Sequence, residues 1–355
     1  MIEQRSWTVR PYRSGDEVHL AALFERVFER PMTPQLWRWK LGDHAKAPPN
    51  VWLAVDGQDR PLCQYAGIPR RVRLPDGEHT VMVAVDAMTA PELRRQGAFT
   101  AVVTRAHAAW RDAGVAFVLG MPNEEYGSRT DALGWQRVSS LRWMIRPIRP
   151  DVLLARRTRL GGLPGLEAAG GLWNTFWNLG ARRSPGRVFE AMDRAESEAA
   201  FDRLAGARDS KEHLELHRDK AWMVHRLLDV PVSPYRIVVA SDGQEPVGYA
   251  AYRVQEVNGR RIGAIAELVT PHPDSRFGSW LIREAADRLR DAGADIAVAL
   301  AVPGSRDHRL FRRRGFLFSW GTFVIHAVIL DPDIRIETLR GSGRWMLAGG
   351  DFDLI

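Results

Sequence analysis

The segment that decides the fold reads Thr89-Ala90-Pro91-Glu92-Leu93-Arg94-Arg95-Gln96-Gly97-Ala98-Phe99. It follows a strand-like run and opens a stretch of helical periodicity that continues to Ala113. The start of a helix leaves backbone N–H groups without partners at the positive end of the helix dipole. Gly97 lets the backbone approach an anion closely, and Arg94 and Arg95 can neutralise its charge. The segment is therefore compatible with an anion site, although alone it is more typical of an ordinary helix start.

The rest of the first half supplies helices and strands around this segment. A capping box at Ser14–Glu17 predicts a helix with Ser14 as its N-cap, and a second short helix covers Gln35–Lys40. Three strand-like runs follow, separated by Asp-Gly turn signals: Val51–Val55, Pro61–Leu74 and His79–Thr89. After the helix that begins at Gly97, the pattern predicts a strand at Val115–Gly120, a short helix at Glu124–Leu133 and a strand at Trp135–Ile145.

The second half repeats this order of elements, which indicates a duplicated domain. Leu133-Gly134-Trp135 is matched by Arg314-Gly315-Phe316 at the same point of the pattern. We therefore expect an N-terminal domain over residues 1–150, a connector over 151–185, a C-terminal domain over 186–330 and a tail over 331–355. The connector contains an amphipathic helix with Trp173 and Trp177 one turn apart. Packing of this helix on a neighbouring domain is favoured over a role at a membrane surface.

Composition narrows the class of protein. Hydrophobic residues make up 45% and charged residues 26% of the 355 residues, as in ordinary globular proteins. No run approaches the roughly 20 apolar residues that span a bilayer, and the N-terminus has no apolar signal region. Cys63 is the only cysteine, so neither an internal disulfide nor a cysteine metal cluster is expected, and a cytoplasmic setting fits.

The net charge of +7 is not gathered into a basic stripe, so nucleic acid is not indicated as a partner. His213 and His217 lack the order of a zinc-protease motif, and no metal site is predicted.

The order of elements around the Arg94–Phe99 loop resembles the GNAT N-acetyltransferase superfamily, over nearly all of residues 7–148 and more faintly over 187–330. The resemblance implies an α/β (α+β) fold of two tandem GNAT-like domains, each a mixed, mostly antiparallel sheet flanked by helices. It implies acetyl-CoA, or another acyl-CoA, as co-substrate, with no metal. By this resemblance the pyrophosphate contacts Arg94, Arg95, Gln96, Gly97, Ala98, Phe99 and Thr100, and the pantetheine arm contacts Ala87, Met88 and Thr89. Asn123 matches a position that often contacts CoA in the family.

The sequence departs from the family pattern in three places. Phe99 stands where Gly or Ala is usual, so its side chain must turn towards the core. Thr130 and Phe311 occupy positions where many members carry the tyrosine that reprotonates the CoA thiolate. The second half has Pro271–Gly278 in place of the glycine-rich loop, so its site is expected to be degenerate and to lack CoA.

Acyl transfer to an amine needs a base for the amine proton and a donor for the oxyanion. Asp86 is the candidate base, because it lies in an apolar strand where an unpaired charge is costly; a salt bridge with an arginine is the alternative. Tyr126 is a candidate acid, with surface packing as its alternative, and Glu267 is a candidate for lining the acceptor pocket.

The function expected from the resemblance is N-acyl transfer to a primary amine of a small molecule or amino sugar. Two alternatives stay open: a Fem-like aminoacyl transferase that uses charged tRNA, and a non-catalytic CoA-binding protein. The sequence leaves acceptor, acyl length and oligomeric state open, a homodimer included.

Overall fold

The computed structural model describes residues 7–42, 48–122, 131–157, 166–179, 187–191, 193–206, 213–270, 275–341 and 343–352. In chain order, the first elements are β1 (Thr8–Pro11), α1 (Glu17–Phe28), α2 (Pro34–Lys40), β2 (Val51–Val55), β3 (Pro61–Leu74), β4 (Gly77–Thr89), α3 (Ala98–Asp112), β5 (Val115–Gly120), β6 (Gln136–Pro147), α4 (Pro150–Arg157) and α5 (Leu166–Asn178). The remaining elements are β7 (Arg187–Ala191), α6 (Arg194–Leu204), α7 (Lys220–Met223), β8 (Arg236–Asp242), β9 (Glu245–Val257), β10 (Arg260–Val269), α8 (Ser275–Asp291), β11 (Ile296–Ala301), α9 (Arg306–Arg313), β12 (Thr322–Ile329) and α10 (Ile336–Leu339). None of the helices in the described ranges is long and apolar enough to cross a membrane.

The first compact unit comprises residues 1–139 and 324–340. Its strands lie in the order β1-β2-β3-β4-β5-β12, and the described neighbours pair antiparallel except β4 and β5, which are parallel. Helices α1, α2 and α3 contribute buried apolar side chains to one core with the strands, among them Leu20, Trp37, Val102 and Trp110. This unit matches the predicted N-terminal domain in the order of its first elements.

The last strand of the first unit comes from the end of the chain. In the register of β12 with β5, His326 lies opposite Gly120 and Ile329 opposite Phe117, and the amide of Leu330 donates to the carbonyl of Ala116. Val328 and Leu330 join the core of this unit. The compact units therefore divide the chain differently from the predicted boundaries at 150 and 330, because a strand of the second repeat completes the first sheet.

The second unit comprises residues 140–323 and 341–355. Its strand order is β6-β11-β10-β9-β8-β7, with β10 and β11 parallel and the other described neighbours antiparallel. Helix α8 packs its buried face, with Leu281 and Leu289, on a core that includes Val238, Tyr252 and Ile265. Each unit thus has the mixed, mostly antiparallel sheet flanked by helices that the sequence predicts.

The prediction of a capping box at Ser14 is wrong. The N-cap of helix α1 lies two residues later, at Asp16, and Gly15 before it takes a positive φ of 103°. The Arg10 guanidinium donates to both carboxylate oxygens of Asp16, at 2.7 and 2.9 Å. Glu17 accepts from the amide of Gly15 and from the Tyr12 hydroxyl. Asp16 and Glu17 therefore bind groups of the turn before the helix, and Glu17 does not form a capping box with Ser14.

A buried ion cluster in the second unit fixes the C-terminal segment. The Arg218 guanidinium contacts Asp351 at 2.6 Å, Glu267 at 3.2 Å and Glu215 at 3.7 Å, with all four residues buried. Burial opposes the charge of Arg218, but the carboxylates of Asp351, Glu267 and Glu215 hold its pKa well above the usual value. Asp351 also accepts from the amide of Ala348, which closes the turn at Gly349–Asp351.

We predict that Arg218→Met destabilises the protein by about 3–5 kcal/mol, because it leaves buried carboxylates without their cation. The measurement is urea unfolding of the full chain. Arg203→Met is the matched control in the same unit, because its side chain is 54% exposed and pairs only across 3.5 Å with the exposed Glu245. It should change stability by no more than about 0.5 kcal/mol. Equal effects of the two substitutions would contradict the structural role of the cluster.

His107 makes the stability of the first unit depend on pH. It is buried on α3, its Nε2 lies 2.9 Å from the Tyr65 hydroxyl, and burial together with the charge of Arg111 lowers its pKa to about 4. Because the unfolded chain binds this proton at a pH near 6.5 and the folded chain only near 4, stability falls as pH drops through that window and is unaffected above it.

We predict that His107→Gln flattens the pH dependence of unfolding between these two values. The wild type should lose about 3 kcal/mol more than the variant across the window, since each unit of pKa corresponds to about 1.4 kcal/mol. His19→Gln, on the exposed side of α1, is the control and should retain the wild-type slope. Parallel curves for His107→Gln and wild type would show that this imidazole does not set the pH dependence.

Candidate active site

The feature that organises the first unit is the free edge of β4. Strand β4 pairs with β3 from Gly77 to Thr89, but its described parallel pairs with β5 end at Val83 opposite Leu119. Past this point no described residue pairs with Ala84–Thr89 on the β5 side. Strand β5 itself ends at Gly120, where a Cβ would lie 2.7 Å from Cη2 of Trp135, so only glycine fits beside that ring. The open edge offers backbone donors and acceptors to an extended ligand.

A β-bulge lies in the middle of this open edge. Gln64 is opposite Met88 whereas Ala66 is opposite Val85, so β4 carries one extra residue between them. Asp86 in the bulge has a φ of 47°, a region that a non-glycine residue rarely adopts. Its carbonyl accepts from Nε2 of the fully buried Gln64 at 3.0 Å, and Oε1 of Gln64 accepts from Nε1 of Trp37 at 3.0 Å. This chain of hydrogen bonds holds the strained residue, and the bulge takes peptide groups out of the ladder with β3.

The carboxylate of Asp86 lies in an ion pair with Lys40. Their Oδ2 and Nζ atoms are 2.7 Å apart, and the two side chains are 14% and 4% exposed. Lys40 is the last residue of α2, so this helix brings the cation to the bulge. Attraction at this distance stabilises the ionised form of both groups. A salt bridge for Asp86 was one of the two expectations, but the partner is a lysine and not an arginine.

The loop between β4 and α3 has the geometry of an anion site. After the turn at Pro91–Leu93, Arg95 and Gly97 take left-handed φ values of 64° and 78°. Gly97 is the N-cap of α3 and its helix start has no side-chain cap, so the first backbone N–H groups of α3 have no intrahelical partner. No atom lies within 4 Å of a Cβ built on Gly97, so the space above the loop is open.

The side chains of the loop are arranged to leave this space accessible. Arg94 and Arg95 are exposed, and Nε of Arg94 lies 3.5 Å from the carbonyl of Thr89. The Gln96 amide donates to the carbonyl of Glu92 at 2.7 Å, and the Glu92 carboxylate pairs with Arg26. Phe99 turns inward, is 9% exposed and meets the Tyr65 ring edge-on at 6.1 Å. The Phe99 side chain therefore lies in the core, while its backbone N–H remains at the start of α3.

The predicted site residues fall into three groups. Ala87, Met88 and Thr89 lie on the open edge of β4 and continue into Arg94, Arg95, Gln96, Gly97, Ala98, Phe99 and Thr100, so one continuous segment contains them. Asn123, Tyr126 and Thr130 lie outside the described residues. Glu267 lies in the second unit within the Arg218 cluster, and Phe311 is buried there against Phe316 at 5.1 Å.

Sequence reasoning missed Lys40, Gln64 and Trp37, which together hold Asp86 and its bulge. One signal pointed to the first of them: Lys40 is one of four lysines in a chain whose other basic residues are arginine. The sequence gives no such signal for Gln64, because a single polar residue in an apolar strand can lie on the exposed face of the sheet as readily as in the core.

The second unit has a comparable bulge, but its own chain fills the neighbouring space. In β10, Ile265 is opposite Tyr252 whereas Glu267 is opposite Ala251, which makes Ala266 the extra residue. The described pairs of β10 with β11 end at Ile265. Gly350 lies beside this point, where a Cβ would be 2.7 Å from Oε2 of Glu267, and Arg226 donates to the Gly350 carbonyl. The C-terminal segment therefore occupies the space that is open in the first unit.

Comparisons with known proteins agree with this architecture. A model of the acetyltransferase (GNAT) domain matches residues 8–138, and a model of the acetyltransferase (GNAT) family matches residues 194–316. No curated protein matches the sequence significantly.

Solved structures share the fold at low sequence identity. A GCN5-related N-acetyltransferase from Anabaena variabilis ATCC 29413 has 11% identity and a TM-score of 0.64, over 91% of this chain and 73% of that one. A conserved protein of unknown function from Enterococcus faecalis V583, described as a probable N-acyltransferase, has 11% identity and a TM-score of 0.66, over 92% of this chain and 73% of that one. The Saccharomyces cerevisiae N-myristoyltransferase with bound myristoyl-CoA has 12% identity and a TM-score of 0.62, over 92% and 84%. With two family domains in tandem over most of its length, this chain belongs to the GNAT superfamily of N-acyltransferases.

Proposed function

We propose that the protein transfers an acyl group, acetyl in the first instance, from acyl-CoA to a primary amine of a small molecule or amino sugar in the cytoplasm. The observation that carries this proposal is the continuity of the open β4 edge with the uncapped start of α3. An extended thioester arm fits the strand edge, and a pyrophosphate fits the helix start beside Arg94 and Arg95. Acyl-CoA supplies the activated carbonyl.

The residues around the bulge support a role in the transfer itself. The bulge frees peptide groups near Asp86 and Ala87, and an N–H there is a candidate donor to the thioester oxygen. The Asp86 carboxylate lies beside the same point and can accept the amine proton directly or through water. Lys40 fixes the position of this carboxylate, so Lys40 is a positioning residue in the proposal. Asn123 and Tyr126 stay predictions for CoA contact and for the general acid.

We further propose that only the first unit binds CoA. Support comes from the Gly349–Asp351 turn, which lies against Glu267 where the second unit would need an open strand edge. Glu267 is then part of the support of the C-terminal segment, and its suggested place in an acceptor pocket remains a prediction. The Fem-like and non-catalytic alternatives are outcomes of the experiments below.

We predict that Gly97→Asp abolishes acyl-CoA binding, because it places a carboxylate at the start of α3 and a side chain at a φ of 78°. Isothermal titration of wild type with acetyl-CoA should give one site per chain, and the variant should bind at least about a hundredfold more weakly. Myristoyl-CoA belongs in the same titration, since the yeast neighbour binds it.

Gly114→Asp is the matched control for this variant. Gly114 follows the opposite end of α3, has a φ of 79°, is exposed and also has no atom within 4 Å of its Cβ position. It reproduces the backbone strain without touching the proposed site and should leave binding unchanged. Unchanged affinity in Gly97→Asp would overturn the assignment of the loop, and a second site that survives it would overturn the restriction to one unit.

We predict that Asp86→Asn lowers kcat by about a hundredfold or more with little change in KM for acyl-CoA, as expected for loss of a general base. Lys40→Met tests the structural explanation, because it also breaks the buried pair and should destabilise the fold to a similar degree. If Asp86 acts on the amine, Asp86→Asn loses more activity than Lys40→Met at equal folded fraction. A kcat of Asp86→Asn that stays near the wild-type value at equal folded fraction would reduce Asp86 to a structural role, and thiol release that no amine accelerates would favour the non-catalytic alternative. Transfer that requires charged tRNA would favour the Fem-like one.

A further inference from the structure

The indole of Trp135 lies at the point where β4 and β5 separate. A Cβ built on Gly120, the last residue of β5, would lie 2.7 Å from Cη2 and 3.0 Å from Cζ3 of Trp135, and 3.5 Å from Cβ of Ala84. The six-membered part of the indole and the Ala84 side chain therefore face the same small space, at the first residue of the open edge of β4. Trp135 is 4% exposed, so its ring fills this space and is itself covered.

The position of this ring is fixed by the turn before it and by the core around it. Gly134 takes a left-handed φ of 77° and its amide donates to the carbonyl of Asp131, so a tight turn brings Trp135 to the start of β6. The indole belongs to the apolar core of the first unit, and its centroid lies 6.4 Å from that of the His107 ring on α3. A side chain in such a closely packed core keeps its place, because its neighbours leave few voids to move into.

The opposite face of the sheet is closed at the same level. Side chains alternate between the two faces of a strand, so Val83 and Leu119, the last described pair of β4 and β5, point away from the face that carries Ala84. Both side chains are fully buried. The wedge between the separated strands therefore ends at a wall, with Trp135 on one face and buried aliphatic side chains on the other.

A ligand arm that follows the open edge of β4 runs towards this wall. With a pyrophosphate at the start of α3, the arm returns along the strand from Thr89 towards Ala84 and passes the bulge at Asp86. The proposed function places the thioester carbonyl at the bulge, so the acyl group occupies what remains of the edge. From Asp86 to Ala84 this stretch is about 7 Å long.

We infer that Trp135 limits the acyl group that the first unit accepts to about four carbons. Carbon atoms stay about 3.5–4 Å from an aromatic ring, so roughly half of the stretch from Asp86 to Ala84 is usable. A carbon chain advances about 1.3 Å per bond, and a longer acyl group would therefore have to displace a packed tryptophan. This inference rests on the proposed acyl transfer and adds the class of donor to it, a short-chain acyl-CoA.

The test is isothermal titration of the full chain with acetyl-, butyryl- and octanoyl-CoA, which needs no acceptor. The wild type should bind octanoyl-CoA at least about tenfold more weakly than acetyl-CoA, because methylene groups that a pocket cannot hold cost about tenfold or more in specificity. Trp135→Leu should bind octanoyl-CoA at least about tenfold more tightly than the wild type does, since the smaller side chain leaves a cavity beside Ala84. Its affinity for acetyl-CoA should stay within about threefold of the wild-type value, because the acetyl group does not reach the ring.

Trp52→Leu is the matched control for the loss of a core tryptophan. Trp52 is 6% exposed in the same core, but it lies on β2, with β3 between it and β4. This variant should keep the wild-type order of affinities.

Ala84→Val tests the wall from its other side and does not depend on the folding of Trp135→Leu. Two added methyl groups narrow the space that faces the indole, so the variant should weaken binding of butyryl-CoA about tenfold more than binding of acetyl-CoA. Equal effects on the two ligands would contradict the position of the acyl group beside Ala84.

Two further results would overturn the inference while leaving the proposed function intact. One is a wild type that binds octanoyl-CoA as tightly as acetyl-CoA, and the other is a folded Trp135→Leu that keeps the wild-type order. A wild type that binds none of the three acyl-CoA ligands would instead overturn the proposed function, and the inference with it.

Discussion

The proposed ligand site depends on one structural constraint, the separation of β4 from β5 after Val83 and Leu119. Two parallel strands that stay paired leave no backbone groups for a ligand, whereas strands that part expose a row of donors and acceptors. Gly120 and Trp135 occupy the point of separation, where a side chain on residue 120 would collide with the indole. The same free edge leads directly into the loop at Arg94–Gly97, so strand edge and helix start form one continuous surface for a ligand with an extended arm and a charged end.

The bulge at Asp86 shows how the fold supports a strained residue at this edge. A left-handed conformation for an aspartate costs about 1–3 kcal/mol and persists only when its surroundings determine it. Gln64 donates to its carbonyl and is itself held by Trp37, and Lys40 binds its carboxylate from α2. Helix α2 therefore does more than cover the sheet, because its last residue, Lys40, positions the Asp86 carboxylate beside the proposed reaction centre.

Much of this could be predicted from the sequence, and the exceptions have physical reasons. Apolar periodicity placed β2 to β5 and α3 within a few residues, and the loop at Arg94–Phe99 is where the sequence put it. The placement of β12 in the first unit was missed, because a strand's own pattern does not say which sheet it joins. Lys40 as partner of Asp86 was also missed, since the pair is 46 residues apart in sequence and no periodicity links them. Within the segment that the sequence assigns to a tail, Trp345 and Asp351 are buried in the second unit.

The most direct test of the central claim is hydrogen–deuterium exchange of the full chain with and without acetyl-CoA. Bound ligand should slow exchange of amides in Ala84–Thr89, through its pairing with the strand edge, and in Ala98–Thr100 at the helix start. Peptides from β10 and the start of α8 should exchange at the same rate in both states. Protection confined to the second unit, or spread evenly over both, would contradict the assignment of the acyl-CoA site to the open edge of β4.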